Sequence, residues 1–385
     1  MKIILSGVET NNKGAELMLY AILQEIERKY PEAEGYIPYC QTKQGLGYVQ
    51  TKVKLRNTPL SKIVVKLKLP EILFKLKLLQ QSQDIVAKTG IVRDADWFID
   101  GSGFAFGDQW NISEQRIRYW KLKLKPLYDK GCKIVFLPQA IGPVEKVGTK
   151  KILSLLNQYV DLIMPREQIS YDYVKESGLV DMSKVKKFTD FTSLVEGVIP
   201  DKYLELRNGI CIIPNMQMIR MKKITYEGYI ELLSALVDTG HRSGLPVYLL
   251  NHEGKYDAEL CNKCKEVIGG DIEAVTGLNA LEVKGLISTA KIVVTSRFHG
   301  LASALNSGVP SLATSWSHKY EELFHDYGLD GYVLPLDDIH KAVNKVNELL
   351  DEKENQRLRN HLAQQTPLIK AQTREMWDYV WSLNK

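Results

Sequence analysis

The stretch VVTSRFHGLA, residues 293–302, joins a predicted buried strand to a predicted helix. Such a junction places backbone N–H groups and the positive end of a helix dipole at the edge of a sheet, where they attract anions. Arg297 adds a fixed positive charge, and His299 can exchange a proton near neutral pH. The stretch predicts an α/β protein with an anionic substrate and a proton transfer nearby. An Arg and a His that only pair structurally would give the same pattern.

Strand-like runs alternate with helical patterns on both sides of this stretch, which indicates parallel sheets built of βαβ units. The predicted strands are Ile3–Ser6, Trp97–Asp100, Lys133–Leu137, Leu162–Pro165, Ile210–Ile213, Val247–Leu250, Ile292–Val294 and Ser311–Ala313. A chain of 385 residues is too long for one ordinary core. We therefore predict two doubly wound Rossmann-like α/β domains facing a central cleft, a GT-B-like architecture.

The predicted domains cover residues 1–205 and 206–350, and residues 351–385 form a C-terminal helix. Trp377 and Trp381 lie four residues apart on one face of that helix. So large an apolar face needs a surface to cover it, so we expect the helix to pack back on the body.

The composition is that of a globular protein, with 44% hydrophobic and 25% charged residues. No stretch approaches a membrane span, and the apolar run after Met1 is too short for a signal peptide. The five cysteines form an odd, sparse set that suits a reducing compartment. We therefore expect a cytoplasmic protein. Cys261 and Cys264 form a lone CxxC without further ligands, so we expect no metal site.

A basic amphipathic segment spans about residues 52–80 of the first domain. One acid, Glu71, stands against eight bases: Lys52, Lys54, Arg56, Lys62, Lys66, Lys68, Lys75 and Lys77. With apolar residues interleaved, this pattern is typical of peripheral contact with an anionic membrane, here its inner face, or with a polyanionic substrate. A helix pair packed on the first domain with a solvated basic face is the other interpretation. No nucleic-acid motif accompanies the charge, so we expect no nucleic acid partner.

Polar residues follow nearly every predicted strand. Asn12 lies in a turn at a helix N-terminus that is neither a Walker loop nor a dinucleotide loop, and it can contact a sugar or an anion. Asp100 and Asp108 bracket three glycines, so either carboxylate can hold hydroxyls or act as a base. Plain turns are the alternative in both places.

Arg166 stands at a helix N-terminus, where its charge opposes the dipole and suits an anionic ligand better than it suits the helix. A surface pair with Glu167 or Asp172 is the alternative. The remaining candidates at strand ends are Gln139, Glu253, Trp316, His318 and Lys319. Trp316 can be a stacking platform for a sugar or part of the core. The chain lacks a catalytic triad order and a zinc motif, so serine hydrolysis and zinc chemistry have no support.

Together these motifs resemble the polysaccharide pyruvyl transferase family. The resemblance runs from Asn12–Glu16 through Leu137–Pro143, Arg166–Ser170 and Ser296–Gly300, and continues through Gly308–Pro310 to Trp316–Tyr320. It implies a GT-B-like fold and transfer of the enolpyruvyl group of phosphoenolpyruvate to two hydroxyls of one sugar, giving a pyruvate ketal. The acceptor would be a sugar, an oligosaccharide or a lipid-linked glycan of cell-surface polysaccharide, such as exopolysaccharide or capsule.

The resemblance also implies roles for individual residues. Arg297 and Arg166 would hold the carboxylate and phosphate of phosphoenolpyruvate. His299 would be the acid and base, with Asp100 or Asp108 helping on the acceptor hydroxyls. The path requires no metal and no cofactor besides phosphoenolpyruvate as donor substrate. Other substrate-binding candidates, placed by position, are Phe298, Gln139, Asn12, Lys319, His318, Trp316 and Glu253.

Two other functions fit a similar fold. A GT-B glycosyltransferase that uses a nucleotide sugar would need an acidic pair for the ribose, and Glu253 is one candidate member. A non-catalytic sugar-binding protein of a polysaccharide assembly complex would need Arg297 and His299 to be structural.

Overall fold

The computed structural model describes residues 1–42, 44–269, 272–315 and 317–383. The chain divides into two compact units. Unit 1 comprises Met1–Asn11, Met18–Phe191 and Thr373–Lys385, and unit 2 comprises Asn12–Leu17 and Thr192–Gln372. The short segment Asn12–Leu17 therefore belongs to the second unit although it lies near the start of the chain.

Unit 1 is built on a parallel sheet of six strands in the order β3-β2-β1-β4-β5-β6. The strands are β1 Lys2–Ser6, β2 Glu34–Ile37, β3 Lys54–Asn57, β4 Trp97–Asp100, β5 Lys133–Gln139 and β6 Leu162–Pro165. The central strands β1, β4 and β5 are buried except for the half-buried lysines that begin β1 and β5, as parallel strands covered by helices on both faces require. Their order reverses between β1 and β4, which is the doubly wound arrangement.

The helices of the first 191 residues connect these strands. They are α1 Lys13–Lys29, α2 Ser61–Lys66, α3 Leu69–Lys75, α4 Leu79–Thr89, α5 Glu114–Tyr128, α6 Val147–Tyr159 and α7 Gln168–Ser177. The first turn of α1 falls in unit 2 and the rest in unit 1.

Unit 2 contains a parallel sheet of five strands in the order β11-β10-β7-β8-β9. The strands are β7 Ile210–Ile213, β8 Val247–Leu250, β9 Glu273–Val275, β10 Ile292–Thr295 and β11 Ser311–Ala313. The helices are α8 Gln217–Arg220, α9 Tyr226–Arg242, α10 Gly254–Ile268, α11 Ala280–Ser288, α12 Phe298–Asn306, α13 Lys319–Asp326, α14 Ile339–Leu350 and α15 Glu352–Ser382. The strand order reverses between β7 and β10, so ligands of this sheet are expected outside the carboxyl ends of these two strands.

The predicted class of two doubly wound Rossmann-like α/β domains is confirmed by these two sheets. The sequence-based boundary near residue 205 lies within unit 2, which begins again at Thr192. Helix α15 crosses from unit 2 into unit 1 at Thr373. In unit 1, Trp377 and Trp381 are both buried, and the Trp381 ring lies edge-on to Trp97 at a centroid distance of 5.2 Å.

Three strands escaped the sequence analysis, and all are short: β2, β3 and β9. Strand β3 lies inside the basic segment at the sheet edge, with its residues alternating between exposed and half-buried. Two of its basic residues form ion pairs with the neighbouring strand: Lys54 and Arg56 lie 2.6 and 3.3 Å from the Glu34 carboxylate of β2. These ion pairs, the bond to Lys54 foremost, lower the pKa of Glu34 to about 2.

Candidate active site

The turn after β10 positions Arg297 and His299 at the reversal point of the second sheet. Arg297 is the N-cap residue of α12, and its backbone N–H donates to the Thr295 hydroxyl at 3.0 Å. The first turn of α12 contains no acidic residue that would neutralise its free N–H groups. The N–H groups at this helix end therefore favour an anion, and the anion site expected from the sequence stays a prediction.

A buried hydrogen-bond network beneath this turn fixes its geometry. The Ser296 hydroxyl lies 2.6 Å from the Tyr229 hydroxyl and also bonds Thr314. The Ser296 carbonyl accepts from Tyr320 Oη and from Asn215 Nδ2, each at 2.7 Å. Because all four partners come from different elements, the direction in which Arg297 leaves the backbone is set by the packed unit.

The guanidinium of Arg297 is paired with two carboxylates of α10 and its N-cap. Its Nε lies 2.8 Å from Asp257 Oδ2, Nη2 reaches the same oxygen, and Nη1 contacts Glu253. Asp257 is buried and also accepts from the Met216 N–H at 3.0 Å, whereas Glu253 is partly exposed. Burial raises the pKa of the Asp257 carboxyl to about 7, and the Met216 hydrogen bond and the charge of Arg220 only partly oppose that shift. An anionic ligand would meet Arg297 by displacing Glu253, the more accessible partner.

His299 lies directly against the backbone of Gly14. A Cβ atom at residue 14 would come within 2.3 Å of His299 Nδ1, so only glycine leaves room for the imidazole. The ring of Phe298 stands edge-on to the His299 ring at 5.2 Å. The imidazole is therefore held by packing on two sides, which suits a group that must present one nitrogen to a ligand.

Asn12–Leu17 forms part of this site within unit 2. The Asn12 side chain accepts from the N–H groups of Gly14 and Ala15 at 2.9 and 3.2 Å, and its backbone forms a bridge with Glu253. The carboxylate of Glu16 is fully buried; it accepts from the Ala280 N–H at 3.2 Å and pairs with Lys13. The Asn12 oxygen thus caps α1, and its predicted contact with substrate stays a prediction.

The sequence analysis did not select His252, a buried imidazole beside this cluster. Its carbonyl accepts from the Lys13 N–H at 3.3 Å, and its Nδ1 has no hydrogen-bond partner among the residues that the structure describes. Burial, aided by the nearby charge of Arg297 and by His299, holds the pKa of His252 well below its usual range. The His252 imidazole is therefore neutral, and it lies near both residues of the opening motif. Its position after β8, next to the reversal point, is the signal that could have found it.

The shifted pKa of His252 predicts a specific pH dependence of stability. Below about pH 6.5 the unfolded chain binds a proton at this residue and the folded protein does not. The free energy of unfolding should therefore fall as the pH drops, by up to about 1.4 kcal/mol per pH unit from this group. Urea unfolding at several pH values should show that the free energy of unfolding falls less steeply with decreasing pH in His252→Asn than in wild type. In the control His340→Asn, which changes an exposed histidine, the free energy of unfolding should depend on pH as in wild type. The same pH dependence in all three proteins would contradict the prediction.

Other candidates of unit 2 lie near the same turn. Lys319 begins α13 and is buried, with its Nζ 5.8 Å from the centroid of the Phe298 ring. His318, the N-cap residue of α13, is half-buried. Trp316 lies outside the described residues. The binding roles assigned to these residues stay predictions.

The candidates of unit 1 lie at the carboxyl end of its own sheet. Gln139 ends β5, its carbonyl accepts from the Arg166 N–H at 3.0 Å, and its amide has no side-chain partner within the described ranges. Arg166 is buried beside Glu167, at 3.3 Å, and Asp190, so its pairing is internal rather than at the surface. Asp100 ends β4, where its Oδ1 accepts from the Ser102 N–H at 3.0 Å.

Asp108 differs from Asp100 in its surroundings. Its two oxygens accept from the N–H groups of Glu145 and Lys146 at 2.7 and 3.1 Å. Burial works against ionisation here, but these bonds and one from Thr149 outweigh it and lower the pKa of Asp108. The contacts are those of a structural carboxylate, while the role on the acceptor hydroxyls stays a prediction. Within the described part of the chain, no group of three or more His, Cys, Asp or Glu side chains is arranged to hold a metal ion.

Two Rossmann-like units with an Arg and a His at a helix N-terminus define a GT-B-like protein with a candidate transferase site. The sequence model of one family, polysaccharide pyruvyl transferase, matches residues 12–318. This range starts at Asn12, ends at His318 and contains the whole turn after β10. The chain belongs to the polysaccharide pyruvyl transferase family.

Solved structures share the fold at low sequence identity. A putative UDP-N-acetylglucosamine 2-epimerase from Listeria monocytogenes has a TM-score of 0.60 at 12% identity, covering 97% of this chain and 94% of its own. The S. aureus MnaA structure with UDP has a TM-score of 0.59 at 12% identity, covering 100% of this chain and 97% of its own. Anabaena Alr3699/HepE with UDP has a TM-score of 0.57 at 11% identity, covering 98% of this chain and 100% of its own. Such likeness shows the fold alone, and no curated protein matches the chain by sequence.

Proposed function

We propose that the protein transfers the enolpyruvyl group of phosphoenolpyruvate to two hydroxyls of one sugar in a cell-surface polysaccharide or its lipid-linked precursor. The observation that carries this proposal is the position of Arg297 at the N-cap of α12 with His299 in the first turn of the same helix. An anion-binding helix end, a guanidinium and an imidazole together match a donor that carries two anionic groups and must be protonated.

The reaction balances with one proton carrier. Protonation of the donor's methylene carbon makes the central carbon electrophilic, and a sugar hydroxyl adds to it and gives up its proton. The bond between the central carbon and the phosphate oxygen then breaks, and a second hydroxyl adds to that carbon, closing the ketal with loss of its proton. His299 would deliver the first proton and take one back from the first hydroxyl, and the departing phosphate would take the proton of the second hydroxyl. Sugar and phosphoenolpyruvate thus give the ketal and inorganic phosphate.

The ion pairs of Arg297 support a route by which phosphoenolpyruvate would reach the guanidinium. Glu253 and Asp257 neutralise the guanidinium in the structure, and the partly exposed Glu253 is the partner that can turn away. A phosphate or carboxylate group would then take its place in fork geometry. Arg166, Gln139, Asp100, Lys319, His318, Phe298 and Trp316 are further proposed contacts for donor or acceptor.

Glu253 supports a second candidate, a glycosyltransferase that uses a nucleotide sugar. A partly exposed carboxylate after β8, at the start of α10, is suited to hold ribose hydroxyls. In that case Glu253 would be a ligand contact rather than a competitor of the ligand.

Phosphoenolpyruvate should stabilise the folded protein, whereas UDP-sugars should not. A ligand that binds only the native state at about 100 times its dissociation constant adds roughly 2.7 kcal/mol. The melting temperature with each ligand measures this effect. Phosphate release with a panel of sugar acceptors separates transfer from binding alone. Stabilisation by UDP-sugars without any effect of phosphoenolpyruvate would favour the glycosyltransferase.

Glu253→Gln is the matched control for this test. It removes a charge that competes for Arg297, so we expect phosphoenolpyruvate to bind more tightly to this variant. A ribose contact would give the opposite result, with weaker binding of a UDP-sugar. Glu253→Gln should therefore tighten binding of phosphoenolpyruvate if the protein is a pyruvyl transferase, and weaken binding of a UDP-sugar if it is a glycosyltransferase.

A further inference from the structure

Residues 60–79, named here the basic apolar segment, carry an unusual concentration of exposed apolar side chains. They are Leu60, Ile63, Leu67, Ile72, Phe74, Leu76, Leu78 and Leu79. Leu60, Phe74 and Leu76 are each more than 60% exposed, although they are large and apolar. Single exposed apolar residues are ordinary, but a group of them marks an interaction surface.

Positive charge accompanies this apolar surface. Lys62, Lys66, Lys68, Lys75 and Lys77 are all exposed, and no acidic side chain of the described residues lies within ion-pair distance of them. The neighbouring bases differ, since Lys54 and Arg56 pair with Glu34, and Lys52 pairs with Glu27. The unpaired charge of the region is therefore concentrated in the basic apolar segment itself, opposed only by Glu71.

The backbone holds these side chains outward. Leu60, Lys68 and Lys77 adopt left-handed conformations, which break the segment into α2, α3 and the start of α4. Such conformations are unfavourable inside a helix, so each of these residues separates one short helix from the next. Helix α2 is fixed by buried Val64 and by Ser61, whose hydroxyl donates to the Thr58 carbonyl at 2.8 Å. The packed-helix interpretation thus applies to the inner sides of α2 and α3, where Val64 is buried and Leu69 and Leu73 are half-buried.

We propose that the basic apolar segment docks on an anionic membrane surface. Apolar side chains can enter the headgroup boundary while lysines on the same short helices contact anionic headgroups. A second copy of the chain is a poor occupant, because two such surfaces would bring like charges together. Nucleic acid would leave the leucines and Phe74 exposed. No helix among the described residues is long and apolar enough to cross a membrane, so the contact proposed is peripheral. This inference is independent of the proposed reaction.

Binding of the whole protein to vesicles tests the proposal. We expect sedimentation with phosphatidylcholine vesicles that contain phosphatidylserine, and much weaker binding to pure phosphatidylcholine. Each base near an anionic surface contributes about 1 kcal/mol, or about fivefold in partition. Lys62→Gln with Lys66→Gln should therefore weaken binding roughly 25-fold, and raised salt should weaken wild-type binding. Phe74→Ser should weaken it by roughly tenfold through lost apolar burial.

Lys130→Gln with Lys150→Gln is the control pair, since it removes the same charge from exposed lysines elsewhere in unit 1. It should bind vesicles nearly as well as wild type. Equal binding to neutral and anionic vesicles, or binding to neither, would overturn the proposal. So would self-association that Phe74→Ser abolishes without any vesicle binding. Unchanged melting temperatures establish that the surface variants are folded.

Cys40 offers an independent readout. It is exposed while the other four cysteines are buried, and it lines a cavity of about 230 Å³ together with Val64, Val65 and Lys68 of the segment. A polarity-sensitive dye on Cys40 should report an apolar shift with anionic vesicles and none with neutral ones. An unchanged signal in a protein that sediments with vesicles would place the contact elsewhere and reject this segment.

Discussion

Replacing His299 with asparagine should lower the turnover number about 100- to 10,000-fold while phosphoenolpyruvate still binds. The imidazole occupies the second position of α12 and lies against Gly14, so a smaller side chain fits the same space. Asparagine keeps a polar group there but cannot carry a proton near neutral pH. The phosphate-release rate measures turnover, and the donor-induced shift in melting temperature measures binding.

The control for this substitution is the pH profile. A limb of the profile that depends on His299 should change in the variant. Turnover close to that of wild type would remove His299 from the mechanism and move the proton transfer to Asp100 or Asp108. Loss of donor binding together with turnover would instead make His299 a binding residue.

Substitution of Arg297 should affect both binding and stability. Arg297→Lys keeps the charge but loses the fork, so the Michaelis constant for phosphoenolpyruvate should rise about 10- to 100-fold. Arg297→Met should also lower the free energy of unfolding by about 3–5 kcal/mol, because the buried Asp257 loses its countercharge. The Michaelis constant and urea unfolding measure the two effects.

The pH dependence of Arg297→Met identifies the cause of its instability. Burial already raises the pKa of Asp257 above its unfolded value, and loss of the guanidinium should raise it further. The group is then neutral in the folded state at low pH, so stability should fall as the pH rises through the folded pKa. The double variant Arg297→Met, Asp257→Asn should recover much of the loss. Equal instability of the double variant would show that packing, and not the unpaired carboxylate, is responsible.

The sequence revealed the central strands of both sheets because their residues are apolar without interruption. Strands β10 and β4 are read directly from IVVT and WFID, whose side chains are buried on both faces. Strands β2 and β3 carry Glu34, Lys54 and Arg56, so their pattern resembles a charged loop. What makes them strands is the pairing of β2 with β1 and of β3 with β2, a tertiary effect that local pattern does not contain.

The site was predictable where its residues are adjacent in sequence. Arg297 and His299 stand two residues apart at a strand end, so the pattern indicates them together. Glu253 and Asp257 lie one helical turn apart, which predicts a shared side of α10. Their pairing with Arg297 joins positions 44 and 40 residues apart in the chain. The structural contacts of Asp108 with the Glu145 and Lys146 backbone likewise arise only from folding.

The assignment of Asn12–Leu17 to unit 2 also constrains how the gene can be divided. No single cut gives both units whole, because a fragment that starts at Thr192 lacks the residues that border His299 and Ala280. During synthesis these residues are among the first to be made, yet Glu16 must wait for a partner 264 positions later in the chain. The second unit therefore reaches its complete form only when the earliest and later parts of the translated chain meet.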